Sequence, residues 1–86
     1  MAKYKILIKT SAAKEIDAIP QKKQRQRIVN RILALADDPR PRGCEKLSGL
    51  NRFRVRQGDY RIVYAVEDDR LVVNVVKVGQ RGSVYR

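Results

Sequence analysis

The chain has no histidine and no tryptophan, one cysteine and one methionine. Without histidine, imidazole acid–base chemistry is excluded and a zinc site is disfavoured. A lone cysteine, Cys44, excludes an intrachain disulfide and fits a reducing cytoplasm. It reads as a small, part-buried hydrophobe, since no histidine is present to activate it. No apolar run is long enough to span a bilayer, and Met1-Ala2-Lys3-Tyr4 does not begin a signal peptide. A cytoplasmic location is therefore expected. Acids are scarce as well: 9 Asp and Glu stand against 20 Lys and Arg, a net charge of +11. Such a surface repels itself unless it meets a polyanion. Nucleic acid is the first candidate, an acidic protein the second, an anionic membrane the third. At 86 residues the chain is expected to form a single domain, 1–86, with one small core. An apolar share of 43% suffices for that core and argues against disorder.

Hydrophobic spacing gives the elements. Lys3 to Lys9 alternates, with Tyr4, Ile6 and Ile8 on one face, and reads as a half-buried strand. Thr10-Ser11 offers a helix N-cap, and Ala12, Ile16 and Ile19 follow at helical spacing. Pro20 breaks that helix. A second helix is predicted over Gln21 to Ala36, with Ile28, Ile32, Leu35 and Ala36 as its buried stripe, widened by Val29 and Leu33. Its basic residues form a solvated face or a docking face for an acidic partner. Asp38 to Gly43 is a loop, and Cys44 to Asn51 a connector. Three strands follow: Arg52 to Gln57, Tyr60 to Glu67, and Leu71 to Val78, the last expected to be buried on both faces. Gly58-Asp59 and Asp68-Asp69 supply the turns. The expected fold is a two-layer α+β domain of order β-α-α-β-β-β. A helical hairpin packs on one face of a mainly antiparallel four-stranded sheet, and the other face stays open.

Strand alternation sets Arg52, Arg54 and Arg56 on one face, opposite Phe53 and Val55. A two-residue turn adds Arg61 to that face. With Gln57-Gly58 as the turn, Arg54 lies opposite Arg61; with Gly58-Asp59, Arg56 does. Like charges across strands are destabilising by up to roughly 1 kcal/mol per pair. A polyanionic ligand explains the cluster better than shielding of the sheet by arginine stems. Further along come Lys77, Arg81 and Arg86, with Tyr85 able to stack on an unpaired base. RNA cleaves itself when its 2′-OH attacks the neighbouring phosphate. Guanidinium groups suit the phosphorane, because they pair bidentately with phosphate oxygens. They are poor bases, since arginine keeps its proton.

The runs Lys46-Leu47-Ser48-Gly49, Arg54-Val55-Arg56-Gln57-Gly58-Asp59-Tyr60-Arg61-Ile62-Val63-Tyr64 and Val78-Gly79-Gln80-Arg81-Gly82-Ser83-Val84-Tyr85 resemble the RelE/ParE toxin superfamily, and most of all its RelE branch. The resemblance covers nearly the whole chain. It implies the toxin of a type II toxin–antitoxin pair. Such a toxin enters the ribosomal 30S A site, cleaves mRNA there by 2′-OH attack without metal or cofactor, and inhibits translation. It also implies a cognate antitoxin as partner. Arg52 and Arg54 match basic positions that act on the 2′-OH and the phosphorane, Arg61 the arginine that grips the scissile phosphate, Arg81 the arginine at the leaving group, and Tyr85 the tyrosine that orients the attacked nucleotide. Lys46, Arg56, Lys77 and Arg86 are expected to bind RNA or ribosome. Arginine at position 54 departs from a lysine base, and Gln80 stands where many relatives have His or Lys. The chain stops at Arg86 without the extra helix of some relatives, so Tyr85 is expected to be ordered by RNA or ribosome. Two other readings remain: a ParE-like inhibitor of DNA gyrase, and a non-catalytic nucleic-acid-binding module.

Overall fold

A computed structural model of the protein describes residues 3–47 and 51–80. Its order is β1 (Lys5–Ile8), α1 (Thr10–Asp17), α2 (Lys22–Ala34), β2 (Glu45–Lys46), β3 (Arg52–Gln57), β4 (Tyr60–Glu67) and β5 (Val72–Gln80). The described strands form one sheet in the order β1-β5-β4-β3-β2. Only the β1–β5 pair is parallel, with Ile6 beside Val73; the other three pairs are antiparallel. Two helices on a mostly antiparallel sheet is the expected α+β architecture, with one strand more than expected. The extra strand is β2, two residues inside the predicted connector.

The helices cover one face. Ala12, Ile16 and Ile19 meet Ile28, Ile32 and Leu35, and this layer packs on Phe53, Val55, Ile62, Tyr64, Val66, Val73, Val75 and Val78. Thr10 is the first residue of α1 rather than its cap. Lys9 holds the N-cap position, and no side chain caps the helix. The corner at Pro20 is closed by Arg25, whose guanidinium donates 2.6 Å to the Ile19 carbonyl. A cation is favourable at that negative helix end, so Arg25 belongs to the hairpin corner and not to a solvated face.

Three expectations about burial fail. Val29 is exposed and Leu33 is 55% exposed, because they lie about 100° round α2 from the Ile28–Ile32 stripe, on the side away from the sheet. Ile8 is 41% exposed, at the end of β1, which is an edge strand among the described strands. Strand β5 is buried on both faces only at its start, at Val72 and Val73; beyond it Val75 and Val78 enter the core, while Asn74, Val76 and Lys77 are half-buried.

The spacing of those core valines records a β-bulge. Val63 pairs with Lys77, yet the next residue, Tyr64, pairs with Val75, so Val76 is an extra residue in β5. A bulge re-aims the side chains that follow it. Strict alternation from Val73 and Val75 would put Lys77 in the core. The bulge delivers Val78 there instead, at 2% exposure.

Far from the arginine-rich end, Asp68 ties three elements together. It accepts from the Tyr4 hydroxyl at 2.6 Å and from both terminal nitrogens of Arg40 at 3.1 and 2.7 Å. The same guanidinium lies 5.1 Å from the centre of the Phe53 ring. The buried Tyr64 hydroxyl donates 2.7 Å to the Pro39 carbonyl, and burial pushes its pKa well above the usual phenol value.

Candidate nucleic-acid interface

The site is built on the β3–β4 hairpin. Its two-residue loop is Gly58-Asp59, because Gln57 pairs with Tyr60 and Arg56 with Arg61. Gly58 has φ +61°, while Asp59 stays out of the positive region. This is the pattern of a type II′ turn, in which only glycine sits comfortably at the first position. Of the two registers open in the sequence, the turn selects the one that places Arg56 opposite Arg61.

With Phe53 and Val55 buried under the helices, Arg52, Arg54 and Arg56 stand on the open face. Register extends this face across the sheet. One row is Arg56, Arg61 and Gly79; the next is Glu45, Arg54, Val63 and Lys77; the third is Arg52, Ala65 and Asn74. Gly79 brings no side chain to its row. Between Arg56 and Arg61 lies a cleft of about 80 Å³, lined also by Gly58, Asp59 and Tyr60. Two guanidiniums at a small cleft suit one phosphate group.

One acid enters the grid. Glu45 of β2 lies across from Arg54. Its Oε2 accepts 2.5 Å from an Arg54 terminal nitrogen, and its Oε1 is 3.8 Å from Arg56. The Arg54 side chain is only 12% exposed, against 62% for Arg56. Glu45 thus offsets part of the like-charge repulsion in the row. The sequence reading missed it, because the pairing of β2 with β3 crosses the connector. A strand of two residues carries no alternation to betray its face.

Other predicted residues are placed as follows. Lys77 reaches the free side of β5, where Nζ is 3.3 Å from Glu15 of α1; the second Glu15 oxygen accepts 3.0 Å from the Val78 N–H. Lys46 pairs with Phe53 and so lies on the face away from the arginines. Arg81, Tyr85 and Arg86 lie outside the described residues. The structure therefore brings together Arg52, Arg54, Arg56 and Arg61, with Lys77 at the margin, and separates Lys46 from them.

A family model described as ParE toxin of type II toxin–antitoxin system, parDE, matches residues 6–85. Toxin RelE of Mycobacterium tuberculosis is 29% identical over 86 residues, which cover 96% of this chain and 87% of that protein. Among solved structures, a chain of the archaeal RelE–RelB complex from Pyrococcus horikoshii is 29% identical with a TM-score of 0.83, covering 96% of this chain and 99% of that one. A mutant of E. coli toxin RelE in complex with an antitoxin RelBc peptide is 26% identical with a TM-score of 0.76, covering 99% and 90%.

Proposed function

This chain belongs to the RelE/ParE toxin family of type II toxin–antitoxin systems, and from that premise we propose that it is a ribosome-dependent mRNA endonuclease acting in the cytoplasm. The observation that carries this reading is the row Arg56–Arg61 beside Arg54, on the sheet face opposite the two described helices. A phosphate in the cleft between Arg56 and Arg61 meets two forks of N–H donors. Those donors stabilise the extra negative charge that develops as the 2′-oxygen attacks phosphorus. Arg52 and Arg54 extend the same field along the strand. Arg81 and Tyr85 are proposed to serve the leaving oxygen and the attacked nucleotide. Positioning of the RNA on the ribosome supplies the in-line geometry, for which proximity alone is worth several orders of magnitude.

A cognate antitoxin is the proposed protein partner, supported by the complexes in which the Pyrococcus horikoshii and E. coli relatives were solved. With +11 net charge here, that partner is expected to be acidic.

The test is cleavage of mRNA on translating ribosomes, read by mapping the new 5′ ends. Arg61→Ala and Arg81→Ala are each expected to lose about 100-fold or more, the usual cost of removing a transition-state donor. Intact mRNA with the wild-type protein would sink the reading. A second reading has its own support, since the matching family model is that of ParE toxins. Inhibition of DNA gyrase predicts poisoned supercoiling with mRNA left whole, and one supercoiling assay separates the two.

A further inference from the structure

At the hairpin end of the sheet, the arginine row gives way to uncharged side chains. Gln57 pairs with Tyr60, and Tyr60 with Gln80, one register step beyond the row of Arg56, Arg61 and Gly79. Strand alternation turns this outer row to the helical face, where Tyr60 is buried. A cavity of about 430 Å³ opens there, between the sheet end and the helical corner. Ile19 and Val78 are its apolar walls, and Glu15, Gln21 and Gln80 its polar ones. Tyr60 lines both this cavity and the arginine cleft, so the two hollows are neighbours round the end of the sheet.

Its size and its mix of apolar walls with a few polar groups are those of a small-ligand site. Glu15 is fixed in place: one carboxylate oxygen accepts 3.0 Å from the Val78 N–H, and the other lies 3.3 Å from Lys77 Nζ. An ionised carboxylate accepts more bonds than these and donates none, so it asks a ligand for an N–H or O–H. Gln21 holds the N-cap position of α2, where shorter polar side chains bond back to the helix, yet it makes no side-chain cap bond. Its amide, both donor and acceptor, lines the cavity instead. A flat group with a donor beside an acceptor satisfies both residues. Adenine, guanine and cytosine carry an exocyclic amino group next to a ring nitrogen acceptor, and uracil does not. The row from Arg56 through Arg61 to Gly79 spans two strand spacings, about 10 Å, which is the scale of the reach from a phosphate to a neighbouring base.

We propose that this cavity is a base-selecting subsite for an unpaired, amino-bearing nucleobase, next to the phosphate held by Arg56 and Arg61; the proposal rests on the endonuclease reading above. The amino group donates to Glu15, and the adjoining ring nitrogen accepts from the Gln21 amide. Ile19 and Val78 flank the ring and keep water from competing for those bonds. The arginines grip the RNA backbone, and contacts of that kind carry no sequence information. Glu15 and Gln21 supply the sequence preference that the arginine face lacks.

The experiment compares RNAs in which adenosine is replaced by purine riboside, which lacks only the amino group. Wild type, Gln21→Ala, Glu15→Gln and, as a control elsewhere on α2, Gln26→Ala are read in two assays. One is cleavage on programmed ribosomes, with the replacement on either side of the cut. The other is fluorescence anisotropy of a short single-stranded RNA without ribosomes. Wild type is expected to favour adenosine about 10-fold, in kcat/KM at one flanking position and in affinity. Gln21→Ala and Glu15→Gln are each expected to shrink that preference to within about twofold, with the purine riboside RNA handled as by wild type. Gln26→Ala is expected to keep the full preference. Gln21 is exposed, so Gln21→Ala should unfold at the wild-type temperature, and it decides the matter alone where Glu15→Gln fails to fold. No wild-type preference for adenosine in either assay, a preference that survives Gln21→Ala, or an equal loss on both RNAs overturns the proposal. Ribosomal mRNA left intact by wild type overturns the endonuclease reading, and the anisotropy preference then decides the base site separately.

Discussion

Asp68 shows what a single carboxylate does at the end of the sheet remote from the arginine row. Hydrogen bonds from Arg40 first, and from the Tyr4 hydroxyl second, hold its carboxyl down to about 2, below an ordinary value of 3.8. The same bond raises the Tyr4 pKa. A carboxylate whose pKa is depressed on folding contributes stability that is complete above its unfolded value and fades as pH falls through its folded one. The window here runs from about 4 down to about 2. Wild type is therefore expected to be more stable than Asp68→Asn by a constant margin above about pH 5, a margin that closes between about pH 4 and 2. Urea unfolding at stepped pH measures it; a margin unchanged down to pH 2 would show that the Arg40 and Tyr4 contacts do not favour the ionised form.

At the scale of elements, the connection from β4 to β5 holds a strained residue. Leu71 has φ +52° and is 38% exposed. A branched side chain in the left-handed region costs about 1–2 kcal/mol, which asparagine largely avoids. Leu71→Asn is expected to raise stability by up to about 1 kcal/mol, read as a higher urea midpoint at unchanged slope. Local pattern made most elements legible. The alternation of Arg52 to Gln57 and the density of Tyr60 to Glu67 fixed β3 and β4 to the residue, and Pro20 placed the helical corner. Arg52, Arg54 and Arg56 were legible for the same reason, because alternation sets the face before any partner is known, whereas Arg61 joined them only through the two-residue turn. What escaped was non-local or degenerate. Valines stand at both parities in β5, so no pattern could reveal that Val76 is the bulged residue. Glu45 joins Arg54 through a two-residue strand that pairs across an irregular connection. Val29 and Leu33 are apolar like their neighbours, and among the described residues they lie on the exposed side of α2, away from the sheet.

For the molecule as a whole, charge and connectivity decide how it meets its target and when it becomes able to. Each phosphate neutralised by a cation releases counterions, with a slope of about −0.7 in log K against log salt per contact on single strands. Binding of a single-stranded RNA is expected to weaken steeply with salt, and Arg56→Ala to make that slope shallower by about 0.7. Fluorescence anisotropy at several salt concentrations reads both; an unchanged slope would mean that Arg56 holds no phosphate. Connectivity acts earlier, during synthesis. Strand β1 finds its partner in Val72–Val75, at the other end of the described fold. At roughly 5–20 residues per second, β5 follows β1 out of the translating ribosome after roughly 3–13 seconds. Until then the β3–β4 hairpin lacks its β5 neighbour, and an isolated hairpin is marginal in water. The parallel pairing of first strand with last therefore works as a delay: the nascent chain carries all four strand arginines before it has a sheet to hold them in line.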